Sequence, residues 1–353
     1  MHPGSGGNHR SREVKSCILE EMAKNVLILL LFLMPLRVWA EDPMPSFTDV
    51  PPTREEFIAI EDLKRRGILE GRPDGTFGPD AFVNRAEAVT IVVRAVANVR
   101  NLPLLTHCFP DVTAGEWFVQ PVCYAGDLEW VSGYPDGTFQ PMRTVAKIEF
   151  LKILLQAYGV DTEDVSALAK PLAPDASDET QWYFPFLSYA LASSMTRADG
   201  SGNLNPGAAL TRGQVALLTH RFLLYREGER NQALLVEAER DMRFAFGKLD
   251  ALDIDSAAFA AARVRLMTWG ASERIPDAVP VRGAVKLAEA LESLVDGYRF
   301  FASANFTSAL QKAQAAYRSA DEADALTLDV KLYTDKIRAY ARELGVSIRT
   351  QLQ

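Results

Sequence analysis

Histidine and cysteine are scarce in this chain, and its basic residues do not cluster. Four histidines and three cysteines occur among 353 residues, and 38 Lys and Arg stand against 46 Asp and Glu. The net charge of −8, with no run of Lys or Arg longer than three, argues against a nucleic-acid partner, because phosphate backbones are bound by clustered positive charge. The HExxH, GxSxG, P-loop and GxGxxG motifs are also missing. We therefore expect no metal site, no cofactor and no catalytic residues, and we predict that the protein is not an enzyme.

The longest apolar run lies near the start of the chain. Val26 to Leu33 is apolar, follows Lys24, and precedes a small-x-small triplet that ends at Ala40. This is the pattern of a cleaved secretory signal peptide, and the run is well short of the roughly 20 residues that a membrane-spanning helix needs. We predict a leader and signal peptide over residues 1–40, with Met22 as the initiator, and an exported protein. A membrane is expected as a partner only if the peptide stays uncleaved.

Export changes the interpretation of the cysteines. Cys17 lies in the predicted leader, which leaves Cys108 and Cys123 as an even pair in an oxidising compartment. We favour a disulfide between them over two buried free thiols. Such a bond would brace the fold rather than take part in chemistry.

The chain repeats itself three times. The string GRPDGTFGP at Gly71–Pro79 returns 62 residues later as GYPDGTFQP at Gly133–Pro141, and FTDV at Phe47–Val50 returns as FPDV at Phe109–Val112. A more degenerate third copy begins near Ala173. The spacing predicts repeats over residues 41–105, 106–168 and 169–228.

Each repeat has the pattern of a helix, a loop and a second helix. Pro-Asp-Gly in the loop is turn chemistry, and we expect Phe77 and Phe139 to fill the core behind it. Capping boxes place the start of the second helix after Asn84 in repeat 1 and after Thr211 in repeat 3. A calcium loop is the alternative for the repeated string. Only Asp199–Asn203 alternates oxygen ligands, and the sequence after it does not continue the EF-hand pattern.

The ordered motifs resemble the S-layer homology domain. They are Phe-x-Asp-Val, a tryptophan, Gly-Tyr-x-Asp-Gly-Thr-Phe-x-Pro and a segment like Thr-Arg-Ala-Glu, over residues 47 to about 225. The resemblance implies an all-α fold in which three repeats form a pseudo-threefold prism. It also implies that grooves between repeats bind cell-wall polymers, often acidic or pyruvylated glycans, and it supports the disulfide.

Five residues are our candidates for glycan binding. Arg85, Lys147 and Arg212 stand at equivalent starts of the three second helices, where a helix N-terminus and a cation together favour an anion. The alternative is that each pairs with a neighbouring carboxylate. Trp117 and Trp182 offer flat faces for sugar rings, or else belong to the core, and Glu55 takes their position in the first repeat. Because no repeat has the complete set, we expect one or two of the three grooves to bind.

Residues 229–353 lack the repeat and predict a helical bundle or a short solenoid resembling tetratricopeptide repeats. The apolar spacing predicts five helices, over Gln232–Leu249, Ser256–Trp269, Val281–Phe301, Phe306–Ala320 and Leu326–Leu344. Three functions remain open. The first is an anchor on cell-wall glycan at the cell surface, wall or S-layer that displays these helices. The second is a scaffold whose C-terminal helices bind a protein, and the third is a wall-modifying enzyme.

Overall fold

The computed structural model describes residues 45–97, 102, 107–168 and 170–353. The predicted signal peptide lies outside the described residues. Within these ranges the regular structure is helical, and β pairing is confined to four isolated bridges, so the predicted all-α class is confirmed. Residues from Ser46 to Gln353 form one compact unit. No described helix combines the length and the apolar character needed to cross a bilayer.

Two main helices form each repeat. They are α1 Phe57–Arg65 and α2 Arg85–Val96 in the first, α3 Val119–Asp127 and α4 Lys147–Ala157 in the second, and α6 Phe184–Ala192 and α7 Arg212–Arg226 in the third; the short α5, Glu163–Ser166, precedes the third repeat. Both predicted capping boxes are present, because Asn84 and Thr211 accept hydrogen bonds from the third backbone N–H of their helices. The second helices therefore begin where the sequence predicts.

The repeated nine-residue string is a turn. In the first repeat the Asp74 carboxylate accepts hydrogen bonds from the backbone N–H and the hydroxyl of Thr76. Gly75 has a φ of +83°, which residues with a side chain rarely adopt. Phe77 then enters the core, where it is fully buried, as predicted. The same bonds recur at Asp136 and Thr138 in the second repeat.

The aspartate of the Phe-x-Asp-Val motif ties each loop to the start of its own repeat. Asp49 accepts the backbone N–H groups of Phe77 and Gly78, both at 2.7 Å. Asp111 and Asp175 bind the equivalent two N–H groups in the second and third repeats. Since each carboxylate satisfies two donors that the turn leaves unpaired, the motif has a structural role in every copy.

The three repeats close into a ring of backbone hydrogen bonds. The N–H of Val83 donates to the carbonyl of Leu210, Leu210 donates to Val145, and Val145 donates to Val83, over 2.9 to 3.2 Å. All three residues are buried. Val83, Val145 and Leu210 immediately precede the N-cap residues of α2, α4 and α7. Each repeat therefore contacts both others at one central point.

The disulfide prediction is confirmed, since Cys108 is bonded to Cys123 on α3 and their Cα atoms lie 5.2 Å apart. The bond encloses a loop whose ends are 15 residues apart in sequence. We expect its reduction to lower the free energy of unfolding of the protein by about 3 kcal/mol, because the unfolded chain regains freedom. Urea unfolding with and without dithiothreitol measures this difference. A Cys108→Ser/Cys123→Ser variant should unfold at the same urea concentration as the reduced protein, and dithiothreitol should not change its unfolding.

The C-terminal half contains five long helices, as predicted. They are α8 Asn231–Asp250, α9 Ile254–Arg274, α10 Val279–Ala302, α11 Phe306–Leu326 and α12 Lys331–Leu352. The boundaries of three helices differ from the prediction by five residues or more. The helix α9 runs to Arg274 rather than Trp269, α11 runs to Leu326 rather than Ala320, and α12 begins at Lys331 after a 3₁₀ turn at Leu328–Val330 and runs to Leu352. These helices have a hydrophobic core of their own, built largely from alanine and leucine.

The C-terminal helices also pack on the third repeat. A Cβ atom added to Gly270 of α9 would lie 1.7 Å from the carbonyl oxygen of Ala192, so α9 and α6 approach as closely as glycine permits. Nearby, the fully buried Arg263 binds Asp241 and donates to the carbonyl of Leu172 at 2.6 Å. The second half is therefore joined to the repeats by packed and ion-paired contacts.

Candidate functional site

The three basic residues at the helix starts each reach into the loop of the next repeat. Arg212 donates from Nε to the carbonyl of Phe77 at 2.9 Å, and from Nη2 to that of Glu70 at 3.0 Å. Arg85 donates to the carbonyl of Ser132 at 2.9 Å, and Lys147 to that of Leu204 at 2.6 Å. These residues connect neighbouring repeats in a cyclic order.

Pairing with carboxylates explains little of this arrangement. Within 4 Å, only Arg212 has an acidic partner, Glu87 at 3.7 Å, among the residues that the structure describes. The Arg212 guanidinium instead lies over the Phe77 ring and that of Arg85 over the Phe139 ring, 4.6 and 4.8 Å from the ring centroids. Burial lowers the pKa of both groups, yet arginine stays charged at neutral pH. The cations are thus held by aromatic faces and by carbonyl groups.

The first two N–H groups at each helix start are already paired. Those of Arg85 and Ala86 donate to carbonyls of Arg143 and Pro141 in the second repeat. Equivalent bonds join the starts of α4 and α7 to the loops of the third and first repeats. Because the closure of the repeats uses these donors, anion binding at the helix starts stays a prediction that rests mainly on the side-chain cations.

The Arg85 groove combines all three repeats. Arg85 of the first repeat, Lys152 and Tyr134 of the second, and Trp182 of the third line a cavity of about 280 Å³. Arg85 is only 8% exposed, and its Nε atom is buried and has no hydrogen-bond partner in the described structure. The Nζ atom of Lys152 lies 5.3 Å from the centre of the Trp182 ring. The groove therefore combines a largely buried guanidinium, a second cation and an aromatic side chain.

One acidic residue that lines this groove, Glu149, is already paired with a cation. Glu149 binds Arg143 at 2.7 Å and accepts the backbone N–H of Ala146 at 2.9 Å. Burial and Tyr134 are the leading influences on Arg85, the first lowering its pKa and the second raising it. With Glu149 already paired, the charges that remain in the lining are the cations Arg85 and Lys152 and the exposed carboxylate of Glu129.

The Arg212 groove has the same plan and a larger volume. Arg212 of the third repeat, Arg72 and Arg94 of the first, and Trp117 of the second line a cavity of about 690 Å³. A second cavity of about 550 Å³ shares Arg94 and Trp117 with it. Trp117 and Trp182 are 57% and 54% exposed. Neither tryptophan is a core residue, and more than half of the surface of each is accessible to a ligand.

The third junction, around Lys147, is different. Glu55 occupies the position of the two tryptophans, as the alignment of repeats indicates. Its carboxylate binds Arg197 at 3.1 Å and Arg221 at 3.0 Å. Burial lowers the pKa of Lys147, whose ammonium group is held by a loop carbonyl. An ion-paired cluster thus replaces the aromatic face at this junction.

Two residues that line the grooves, Arg94 and Lys152, were not predicted from the sequence. A usable signal existed for Arg94, since Arg94, Gln156 and Arg221 are equivalent in the three repeats, and each lies nine residues after a basic helix start. Arg94, however, shares a groove with Arg212 rather than with Arg85 on its own helix. This grouping of residues from different helices is visible only in the closed arrangement of the repeats.

Comparison with known proteins places the repeats in one family. The family described as S-layer homology domain matches residues 46–89, 109–151 and 174–216. These three stretches contain the loops and basic helix starts described above.

Several surface proteins are similar to part of the chain. The Surface-layer 125 kDa protein of Lysinibacillus sphaericus is 29% identical over 46% of this chain and 14% of its own length. Cell surface glycoprotein 1 of Acetivibrio thermocellus is 28% identical over 39% of this chain and 6% of its own length. The Cellulosome-anchoring protein of the same organism is 25% identical over 48% of this chain and 37% of its own length. The chain therefore matches only a minor part of each of these relatives.

Proposed function

We propose that the protein is exported and holds itself non-covalently at the cell surface by binding a cell-wall glycan, because three stretches of the chain match the S-layer homology domain. Relatives that are named for surface layers and for anchoring support this localisation. The C-terminal helices are then the part that the anchor displays.

The observation that carries the proposal is the Arg85 groove. It brings the Arg85 guanidinium and the Lys152 ammonium together beside Trp182. A carboxylate on a sugar would form charge-assisted hydrogen bonds with these cations, while the sugar ring lies against Trp182. An acidic polysaccharide, of which a pyruvylated glycan is one example, supplies both features along one polymer.

We propose that two of the three junctions bind. The Arg85 and Arg212 grooves each combine cations with an exposed tryptophan. At the Lys147 junction, Glu55 is paired with both Arg197 and Arg221 and takes the place of the tryptophan. The missing aromatic face and the prior pairing of the two arginines both disfavour an acidic glycan there.

We propose binding without catalysis. The repeats use their carboxylates in turns and in ties between segments, as Asp49 and Asp74 show. The sequence motifs of the common hydrolases are missing. This proposal predicts that isolated wall polysaccharide keeps its chain length after prolonged incubation with the protein, which size-exclusion chromatography measures.

Co-sedimentation with cell walls tests the anchoring function. The purified protein is mixed with sacculi of the producing organism, before and after chemical removal of their secondary polysaccharide. We expect sedimentation with intact sacculi and its loss after stripping. Equal sedimentation with both preparations would contradict a glycan anchor and point to peptidoglycan or to nonspecific adhesion.

A further inference from the structure

The C-terminal half has a groove of its own, which we call the C-terminal groove. It lies between α8, α9, α10 and the start of α12 and has a volume of about 390 Å³. Leu235, Met242 and Leu287 give it an apolar lining. The size falls within the range of ligand-binding clefts, and no part of the glycan-binding proposal uses it.

The charged residues that line this groove are acidic, whereas both signs occur in the grooves between repeats. They are Glu239 and Asp329, and neither lysine nor arginine is among the lining residues. Glu239 accepts a hydrogen bond from the Tyr333 hydroxyl at 2.7 Å and pairs with Arg243 at 3.0 Å, while Asp329 is exposed. The exposed carboxylate of Asp329 therefore favours a basic ligand over an acidic glycan in this groove.

Several exposed apolar residues are sequence neighbours of the lining residues. Leu328 and Leu332 flank Asp329 and Tyr333 in sequence and are 75% and 74% exposed. Val236 and Val279, which adjoin the lining residues Leu235 and Pro280 in sequence, are also exposed. Exposed aliphatic side chains on the same segments as an apolar cleft favour a macromolecular partner over a metabolite.

We propose that the C-terminal groove binds an amphipathic helix of a partner protein. Apolar side chains of that helix insert between α8 and α10, and its lysine or arginine residues face Glu239 and Asp329. Pairing of a strand with a sheet edge is not offered by the residues described, which form only isolated bridges, whereas a cleft between helices accepts an amphipathic helix along its length. This partner binding is additional to wall anchoring.

Two designed peptides test the proposal. Each is a fluorescent 18-residue amphipathic helix with leucine on one face, and the polar face is lysine in one and glutamate in the other. Fluorescence anisotropy with the full chain should show saturable binding of the lysine peptide and at least tenfold weaker binding of the glutamate peptide. Asp329→Lys and Leu332→Asp should each weaken binding of the lysine peptide tenfold or more.

Matched variants separate the groove from general attraction to an acidic protein. Asp255→Lys makes the same charge change at an exposed site on α9, and Val346→Asp makes a change like that at Leu332 on the outer face of α12. Both should bind the lysine peptide normally. Equal losses in test and control variants, equal binding of both peptides, or no saturable binding would overturn the proposal. Normal sedimentation of Asp329→Lys with sacculi is expected, since anchoring does not depend on this groove.

Discussion

Replacing Trp117 and Trp182 together by alanine is expected to abolish most of the affinity for wall polysaccharide. Both side chains are more than half exposed, so their loss should leave the fold intact. An aromatic anchor that becomes buried on binding contributes about 2 kcal/mol. One substitution should therefore weaken binding roughly 30-fold, and both should weaken it up to roughly 1,000-fold when one polymer occupies both grooves.

The measurement is titration of the full chain with labelled polysaccharide released from sacculi, together with the unfolding midpoint of each variant. Val346→Ala serves as the control, because it also truncates an exposed apolar side chain but lies on α12. Unchanged affinity of the double variant would contradict the role of both grooves. The tryptophans are better test sites than Arg85 and Arg212, since those arginines also join neighbouring repeats.

Replacing Arg263 by methionine is expected to lower the free energy of unfolding by about 3–5 kcal/mol. Arg263 and Asp241 are both buried, and the guanidinium donates to the carboxylate from Nε at 2.8 Å. The substitution leaves a carboxylate in the interior without its counter-charge, and it also removes the bond to the Leu172 carbonyl. Chemical unfolding followed by circular dichroism gives the difference.

Two further variants make this result specific. Arg265→Met, two residues along α9, breaks a partly exposed pair with Glu289 at 3.6 Å and should cost less than about 1 kcal/mol. The double substitution Asp241→Leu/Arg263→Met removes both charges and should recover much of the stability. A double variant as unstable as the single one would show that packing, rather than an unpaired charge, determines the loss.

The internal repetition made the local structure of the repeats predictable. Turn residues such as Asp74 and Gly75, and caps such as Asn84, act within a few positions of themselves, so their sequence pattern carries the whole signal. The end of the chain was less predictable. The last helix was predicted to start at Leu326, but that residue ends α11, and Leu328 is exposed in a 3₁₀ turn in which the Thr327 hydroxyl accepts the N–H of Asp329.

The sequence predicted the chemistry of the candidate site better than its geometry. Arg85, Arg212 and both tryptophans were selected as recurring residue types, and the structure places each of them in a groove. Their grouping was not predictable, because each groove takes its cation, its loop and its tryptophan from three different repeats. The use of the helix-start N–H groups between repeats depends on the same long-range closure.

The hydrogen-bond cycle through Val83, Val145 and Leu210 limits how this kind of protein can evolve. In an open solenoid each unit contacts only its neighbours, so duplication of one unit lengthens the array and leaves the rest unchanged. A closed cycle has no end at which a fourth unit could be added, and loss of one unit leaves a donor and an acceptor exposed. Duplication of a single repeat would therefore be selected against, and the lineage can gain binding sites only by copying the complete trio or by altering individual grooves, as Glu55 illustrates.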